Sequence, residues 1–227
     1  MQPFAEHTPE ELIGPLNEVE KKHAPKRLFA AGKVELLRAG LRVSVVGSRD
    51  ATKEGLGRAR ALSEALVRRG VVVVSGLAEG IDTQAHQAAI NFGGATIAVL
   101  GTPLDVCFPK QNKSLLDCII QGHLAVSEFP VGSPPQKKNF PMRNRTMALL
   151  SDATIIVEAG EGSGTIHQGW EALRLGRPLF LLESLTKRAD LAWPAEMQRY
   201  GAEVLTKERL PVLLDNLLGR PSGELAF

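Results

Sequence analysis

Cysteine is scarce in this chain. Cys107 and Cys118 are the only two in 227 residues, and they stand in neither a CxxC nor any other metal-ligand spacing. Two isolated cysteines exclude a disulfide scaffold and read as reduced thiols of a cytoplasmic protein. Aromatics are few as well. Eight Phe, two Trp and one Tyr leave a mostly aliphatic core, as when helices pack on a parallel sheet. No apolar run is longer than a strand, which argues against a membrane-spanning helix. The opening residues, Met1-Gln2-Pro3-Phe4-Ala5-Glu6, lack a basic segment followed by an apolar one, so no signal peptide is expected. A large charge excess is missing too. The 27 Lys+Arg stand against 25 Asp+Glu, too even a balance to hold a polyanion through bulk charge.

What excess there is sits in one place. Lys137-Lys138-Asn139-Phe140-Pro141-Met142-Arg143-Asn144-Arg145 holds four basic residues and no acid, and outside it the balance is 23 to 25. The stretch follows a predicted strand and loop and opens a predicted helix, which puts its cations at one edge of a sheet. Charge for phosphates and a ring for stacking are what a polyanion with flat bases needs. Taken alone, a basic run is more often a solvated loop. The rest of the chain changes that balance.

Thr8 followed by Glu11 is a capping box that starts a helix running to about Lys22. Leu28 to Ala30 reads as a short edge strand. These first forty residues are expected to form a helical extension (1–40) to a main domain (41–218), followed by a short tail (219–227). From Val43 onward, strand and helix alternate. The strands are Val43 to Val46, Val71 to Val74, Thr96 to Leu100, Leu124 to Val126, Thr154 to Val157, Pro178 to Leu182 and Glu203 to Leu205. Helices are expected over Glu54 to Arg69, Ile81 to Phe92, Asn112 to Gln121, from the basic stretch to Leu150, over Thr165 to Leu175, up to Tyr200, and over Lys207 to Leu218. Continuous β-branched runs joined by crossover helices predict an α/β fold, a doubly wound, mostly parallel sheet of extended Rossmann type.

Ligands of such folds bind beyond the carboxyl ends of the strands. Those ends are rich in glycine here: Gly47-Ser48-Arg49, Ser75-Gly76-Leu77-Ala78-Glu79-Gly80-Ile81-Asp82, Gly101-Thr102-Pro103 and Gly160-Glu161-Gly162-Ser163-Gly164-Thr165. One glycine loop signifies only a tight turn; four beside Arg49 point to a phosphate-binding rim. Other chemistries fit poorly. Thr52 and Glu54 occupy the places where a Walker A loop needs glycine and Ser/Thr. Ser75 ends the second strand where a dinucleotide site needs an acid. His86 and His167 lack partners at metal-ligand spacing and read as packed or capping histidines. Asp82 is expected to orient its own loop.

The ordered series of motifs resembles the DprA/Smf family, DNA-processing proteins of bacterial natural transformation. It comprises Val45-Val46-Gly47-Ser48-Arg49, Val74 to Asp82 with Ala85-His86, Thr96 to Gly101, Pro109, Asn112, Ser127-Glu128-Phe129-Pro130 and Phe140 to Arg145, within about residues 26 to 218. The resemblance implies a Rossmann domain that binds single-stranded DNA and hands it to a RecA-like recombinase. It further implies a homodimer, no catalysed reaction and no nucleotide cofactor. By that resemblance Arg49 contacts phosphate, Lys137 or Lys138 and Phe140 are the basic and stacking positions, and Arg143 and Arg145, at the helix start behind them, are expected to meet phosphates as well. Gly47, Ser48, Gly76, Gly162, Ser163, Gly164 and Thr165 form the outer wall.

Two departures stand out. A winged-helix-like domain, common at the family's carboxyl end, is not expected from these 227 residues. After Gly164 the chain reads Thr165-Ile166-His167-Gln168-Gly169-Trp170-Glu171, which is similar to the LOG-type phosphoribohydrolases. That similarity offers an alternative, a nucleotide-binding protein or nucleotide N-glycosidase, with Arg145 at the family arginine. The LOG catalytic glutamate falls on Gln168, which cannot stabilise an oxocarbenium-like charge as a carboxylate does; Glu171 stands one helical turn away.

Overall fold

The computed structural model describes residues 4–219; the expected tail therefore lies, apart from Gly219, outside the described residues. The first elements are β1 (Ala5–His7), α1 (Pro9–Ile13), α2 (Glu18–His23) and β2 (Leu28–Gly32). The capping box at Thr8 is present: the Glu11 N–H donates to Thr8 Oγ1, and the Thr8 N–H donates to Glu11 Oε2. The single helix expected from it is two helices. Gly14 closes α1 at φ 88°, Pro15 has no N–H to continue it, and Asn17 with Glu20 builds a second capping box for α2. Residues 1–40 were expected to be helical and appended, but β2 pairs antiparallel with the main-sheet strand Leu124–Ser127, and β1 pairs with β2. The difference arises because edge pairing is a long-range contact with no local pattern in three- and five-residue strands.

A 3₁₀ turn (Val34–Leu37) leads into the regular alternation of β3 (Arg42–Gly47), α3 (Lys53–Val67), β4 (Val72–Ser75), α4 (Ile81–Asn91), β5 (Thr96–Leu100), α5 (Lys113–Gly122) and β6 (Leu124–Ser127). It continues with α6 (Asn139–Leu149), β7 (Ala153–Glu158), α7 (Gly164–Arg174), β8 (Leu179–Leu182), α8 (Glu183–Thr186), α9 (Trp193–Arg199), β9 (Glu203–Leu205) and α10 (Leu210–Leu218). The described strands form one nine-stranded sheet in the order β1-β2-β6-β5-β4-β3-β7-β8-β9. From β6 to β9 every pairing is parallel. This is the doubly wound α/β class, mixed because of the two added antiparallel pairings.

Strand alternation divides the core between two faces. Val43, Val45 and Val73 pack with Ala59, Leu62 and Leu66 of α3 and with Ala85 and Ala89 of α4. Val46, Val72 and Val74 pack on the other side with Met147 and Leu150 at the end of α6. The chain order reverses at β3, whose neighbours are β4 and β7. The crevice beyond the carboxyl ends of β3 and β7 is thus the topological switch point, the usual ligand position in open α/β sheets. The two strands slip register there, Gly47 lying opposite Glu158 after Val46 opposite Ile156.

Candidate functional site

The turn after β3 is fastened from three sides. The Ser48 N–H donates to Glu158 O (2.7 Å), the Ile81 N–H donates to Ser48 O (3.1 Å), and Thr165 Oγ1 donates to Gly47 O (2.9 Å). Gly80, at φ 71°, presses its backbone onto the same turn; a Cβ there would stand 2.3 Å from Ser48 O. Only glycine meets both demands. Arg49 is thereby held at the surface with a fixed backbone, and its side chain is exposed. Its guanidinium lies 5.6 Å from the centroid of the Phe140 ring, and it has no ion-pair partner among the described residues.

Phe140 enters from α6. Its ring rests on Gly101, where a Cβ would come within 2.6 Å of Phe140 Cδ1, and meets Phe108 at a centroid distance of 5.4 Å. Phe108 is half exposed, at 50%. A cation and two rings from three separate segments therefore stand in one row, a surface suited to stacking flat groups.

Behind that row Arg143 is buried, with 5% exposure. Its Nη1 donates to Gly76 O (2.5 Å) and Val99 O (3.0 Å), and its Nε to Asn144 Oδ1 (3.0 Å). Asn144 Nδ2 in turn donates to Gly164 O (3.1 Å), tying α6 to the start of α7. Asp82 accepts from the Gly76 and Ala78 N–H groups, the loop-orienting role expected of it. Burial pushes the Asp82 carboxyl up, against the pull of Arg143. Burial likewise pushes the Arg143 guanidinium down, partly offset by Asp82, and the charge of Arg49 pushes it further the same way.

These parts enclose a cleft of about 570 Å³ lined by Gly47, Ser48, Arg49, Phe140, Arg143 and the segment Gly162, Ser163, Gly164 and Thr165, all of them expected from sequence. The Ser163 side chain caps α7, accepting from the Thr165 N–H, so the helix presents its positive end to the cleft. Gly76 lies beneath rather than on the wall: a Cβ there would overlap Arg143 Nη1 at 1.8 Å. Lys137 and Lys138 are exposed in the approach to α6, outside the cleft lining. Arg145 does not join the group. It lines a separate cavity with Phe4, Glu128 and Met142 and pairs with Glu171 at 3.3 Å. Arg143, expected as an open phosphate contact, spends Nε and Nη1 on protein acceptors. Phe108, His167 and Gln168 are site residues that were not expected, and Asp82 lines the cleft besides orienting its loop; His167 is an exposed wall residue of the cleft rather than a packed or capping histidine. His86 is fully buried, as expected.

Residues 7–211 match the family model described as DNA recombination-mediator protein A. The chain belongs to that family. The DNA processing protein DprA of Streptococcus pneumoniae is 45% identical over 159 residues, 70% of this chain and 56% of that protein. The solved DNA processing protein A of Streptococcus pneumoniae superposes with a TM-score of 0.79 at 35% identity, over 93% of this chain and 74% of that one. That of Helicobacter pylori, described for a unique single-stranded DNA binding mode, superposes with a TM-score of 0.77 at 29% identity, over 95% of this chain and 96% of that one. The chain spans about half the length of the curated relatives it matches.

Within this DprA-type frame, the residues of the LOG comparison part company. Gln168 lines the cleft, whereas Glu171 lies between Arg145 and Arg174, 3.3 and 3.0 Å away. The carboxylate of α7 is neutralised by two arginines and stands outside the cleft lining.

Proposed function

We propose that this chain binds single-stranded DNA across the cleft at the β3–β7 switch point and passes the strand to a RecA-like recombinase in the cytoplasm, acting as a homodimer. The observation that carries the reading is Arg49, a cation without an ion-pair partner among the described residues, stacked on Phe140 beside glycine turns and the start of α7. Such a row offers charge to a phosphate and ring faces to bases, which requires that the bases be unpaired. Lys137 and Lys138 extend the positive charge along the approach. The cleft is built from strand-end loops together with α6 and the start of α7, an arrangement unlike a recognition helix laid in a major groove. Among the described residues no helix is long and apolar enough to cross a membrane. Membership of the DNA recombination-mediator family supports the reading, as does the likeness to the Helicobacter pylori protein.

Binding rather than glycosidic cleavage is supported by the placement of Glu171. Two experiments test the proposal together. Labelled oligo-dT should bind and be displaced far better by unlabelled single strands than by duplex of the same length. Incubation with nucleoside monophosphates should release no free base. Tight duplex binding, or base release lost in Glu171→Ala, would count against it.

A further inference from the structure

Gln168 is a buried cleft residue to which strand binding along the rim gives no role. It is 1% exposed, it lines the cleft, and neither its Nε2 nor its Oε1 has a hydrogen-bond partner among the described residues. A buried amide with both ends unpaired costs stability, so its presence calls for a ligand or water that satisfies it. Its place is set by the helix. Gln168 stands one turn after Gly164 on α7, about 6 Å further along the axis and on the same face. An anion at the start of α7 and a group at Gln168 would therefore be two ends of one ligand.

The chemistry of the amide narrows that ligand. A phosphate offers only acceptors and would satisfy Nε2 while facing Oε1 with like polarity. A base edge carries a donor beside an acceptor, which an amide meets with two bonds at once. Val46, Met147 and Phe140, also on the cleft wall, supply the apolar flank that a ring needs.

We propose that Gln168 reads the edge of a nucleobase turned into the cleft while its phosphate sits at the start of α7. This rests on the strand-binding reading above and gives the cleft a one-nucleotide subsite. The same chemistry is present in a nucleotide of a strand and in a free nucleoside monophosphate. The test separates them.

The probes are a thymidine hexamer and the same hexamer built with difluorotoluene in place of thymine, a ring of the same shape without strong hydrogen bonds. Thymidine monophosphate and its difluorotoluene analogue form the second pair. Wild type should prefer the thymine hexamer by about tenfold, the size of two modest hydrogen bonds. Gln168→Met should bind both hexamers alike, with the salt dependence unchanged. The comparison in wild type needs no variant, and Gln168→Leu repeats the test with a shorter apolar side chain. Without ligand, Gln168→Met should melt no lower than wild type, because the amide has no internal bond to lose; a clear drop would overturn the inference. So would a preference that survives in the variant. Equal binding of both hexamers by wild type would overturn the inference and leave strand binding standing. Discrimination seen with the monophosphates alone would support Gln168 and end the strand reading. Binding of neither pair would overturn both.

Discussion

The guanidinium of Arg49 lies over the Phe140 ring at 5.6 Å, joining the turn after β3 to the first turn of α6. The same ring rests on Gly101 and touches Phe108. Its position is thus set by three segments, and each is open to test.

Phe140→Ala should weaken single-strand binding by about 1–3 kcal/mol, because one stacking face is lost. Its log–log dependence on salt should stay as in wild type, since stacking releases no counterions. Gly101→Ala should act in the same direction more weakly, by pushing the ring aside. Fluorescence titration at two salt concentrations, with melting curves alongside, checks both. A Phe140→Ala protein that melts several degrees early but binds normally when folded would make the ring a core residue only.

Gly76 and Arg143 should behave as one unit. An alanine at Gly76 cannot coexist with Arg143 Nη1 at 1.8 Å, so Gly76→Ala displaces the arginine from Gly76 O and Val99 O and from beside Asp82. Breaking such a buried arrangement costs about 3–5 kcal/mol. Arg143→Ala should cost a similar amount, and the double variant little more than either alone, since both remove the same interactions. Urea unfolding of the three variants measures this coupling.

The α/β alternation was legible because β-branched runs and capped amphipathic helices are local signals. Strands such as Thr96–Leu100 fall where the sequence places them. The glycine loops were legible for the same reason, each marking the end of a strand. The separation of Arg143 from Arg145 was also within reach. Two residues apart on a helix point about 200° from one another, so both could not face one cleft. Phe108 was not legible, because its meeting with Phe140 depends on how the loop after β5 folds back over α6. The pairing of β2 with β6 was hidden likewise, being set by contacts some ninety residues apart.

His86 gives the fold a pH dependence. Its Nδ1 bonds Thr96 Oγ1 at 2.7 Å, and Thr96 donates to Val73 O. Burial, with the positive charges of His123 and Arg143, pushes its pKa down to about 3. The folded value lies below the unfolded one, so this stability is full above pH ~6.5 and is lost as pH falls toward 3. The loss is about 1.4 kcal/mol per pH unit inside that window. His86→Asn keeps a donor for Thr96 and removes the titration. Denaturation curves at pH 7, 6 and 5 should therefore be flatter for the variant, and equal slopes would remove His86 as the cause.

Binding of labelled oligo-dT across a salt series tests the cleft most directly, in wild type and in Arg49→Ala, Lys138→Ala and Arg145→Ala. Affinity should fall steeply with salt in wild type. Arg49→Ala and Lys138→Ala should each flatten the log–log slope by about 0.7, the counterion released per single-strand phosphate. Arg145→Ala should leave the slope unchanged, because that side chain faces a different cavity and pairs with Glu171. A slope indifferent to Arg49 and Lys138, or one flattened by Arg145→Ala alone, would contradict the assignment of the strand to this cleft.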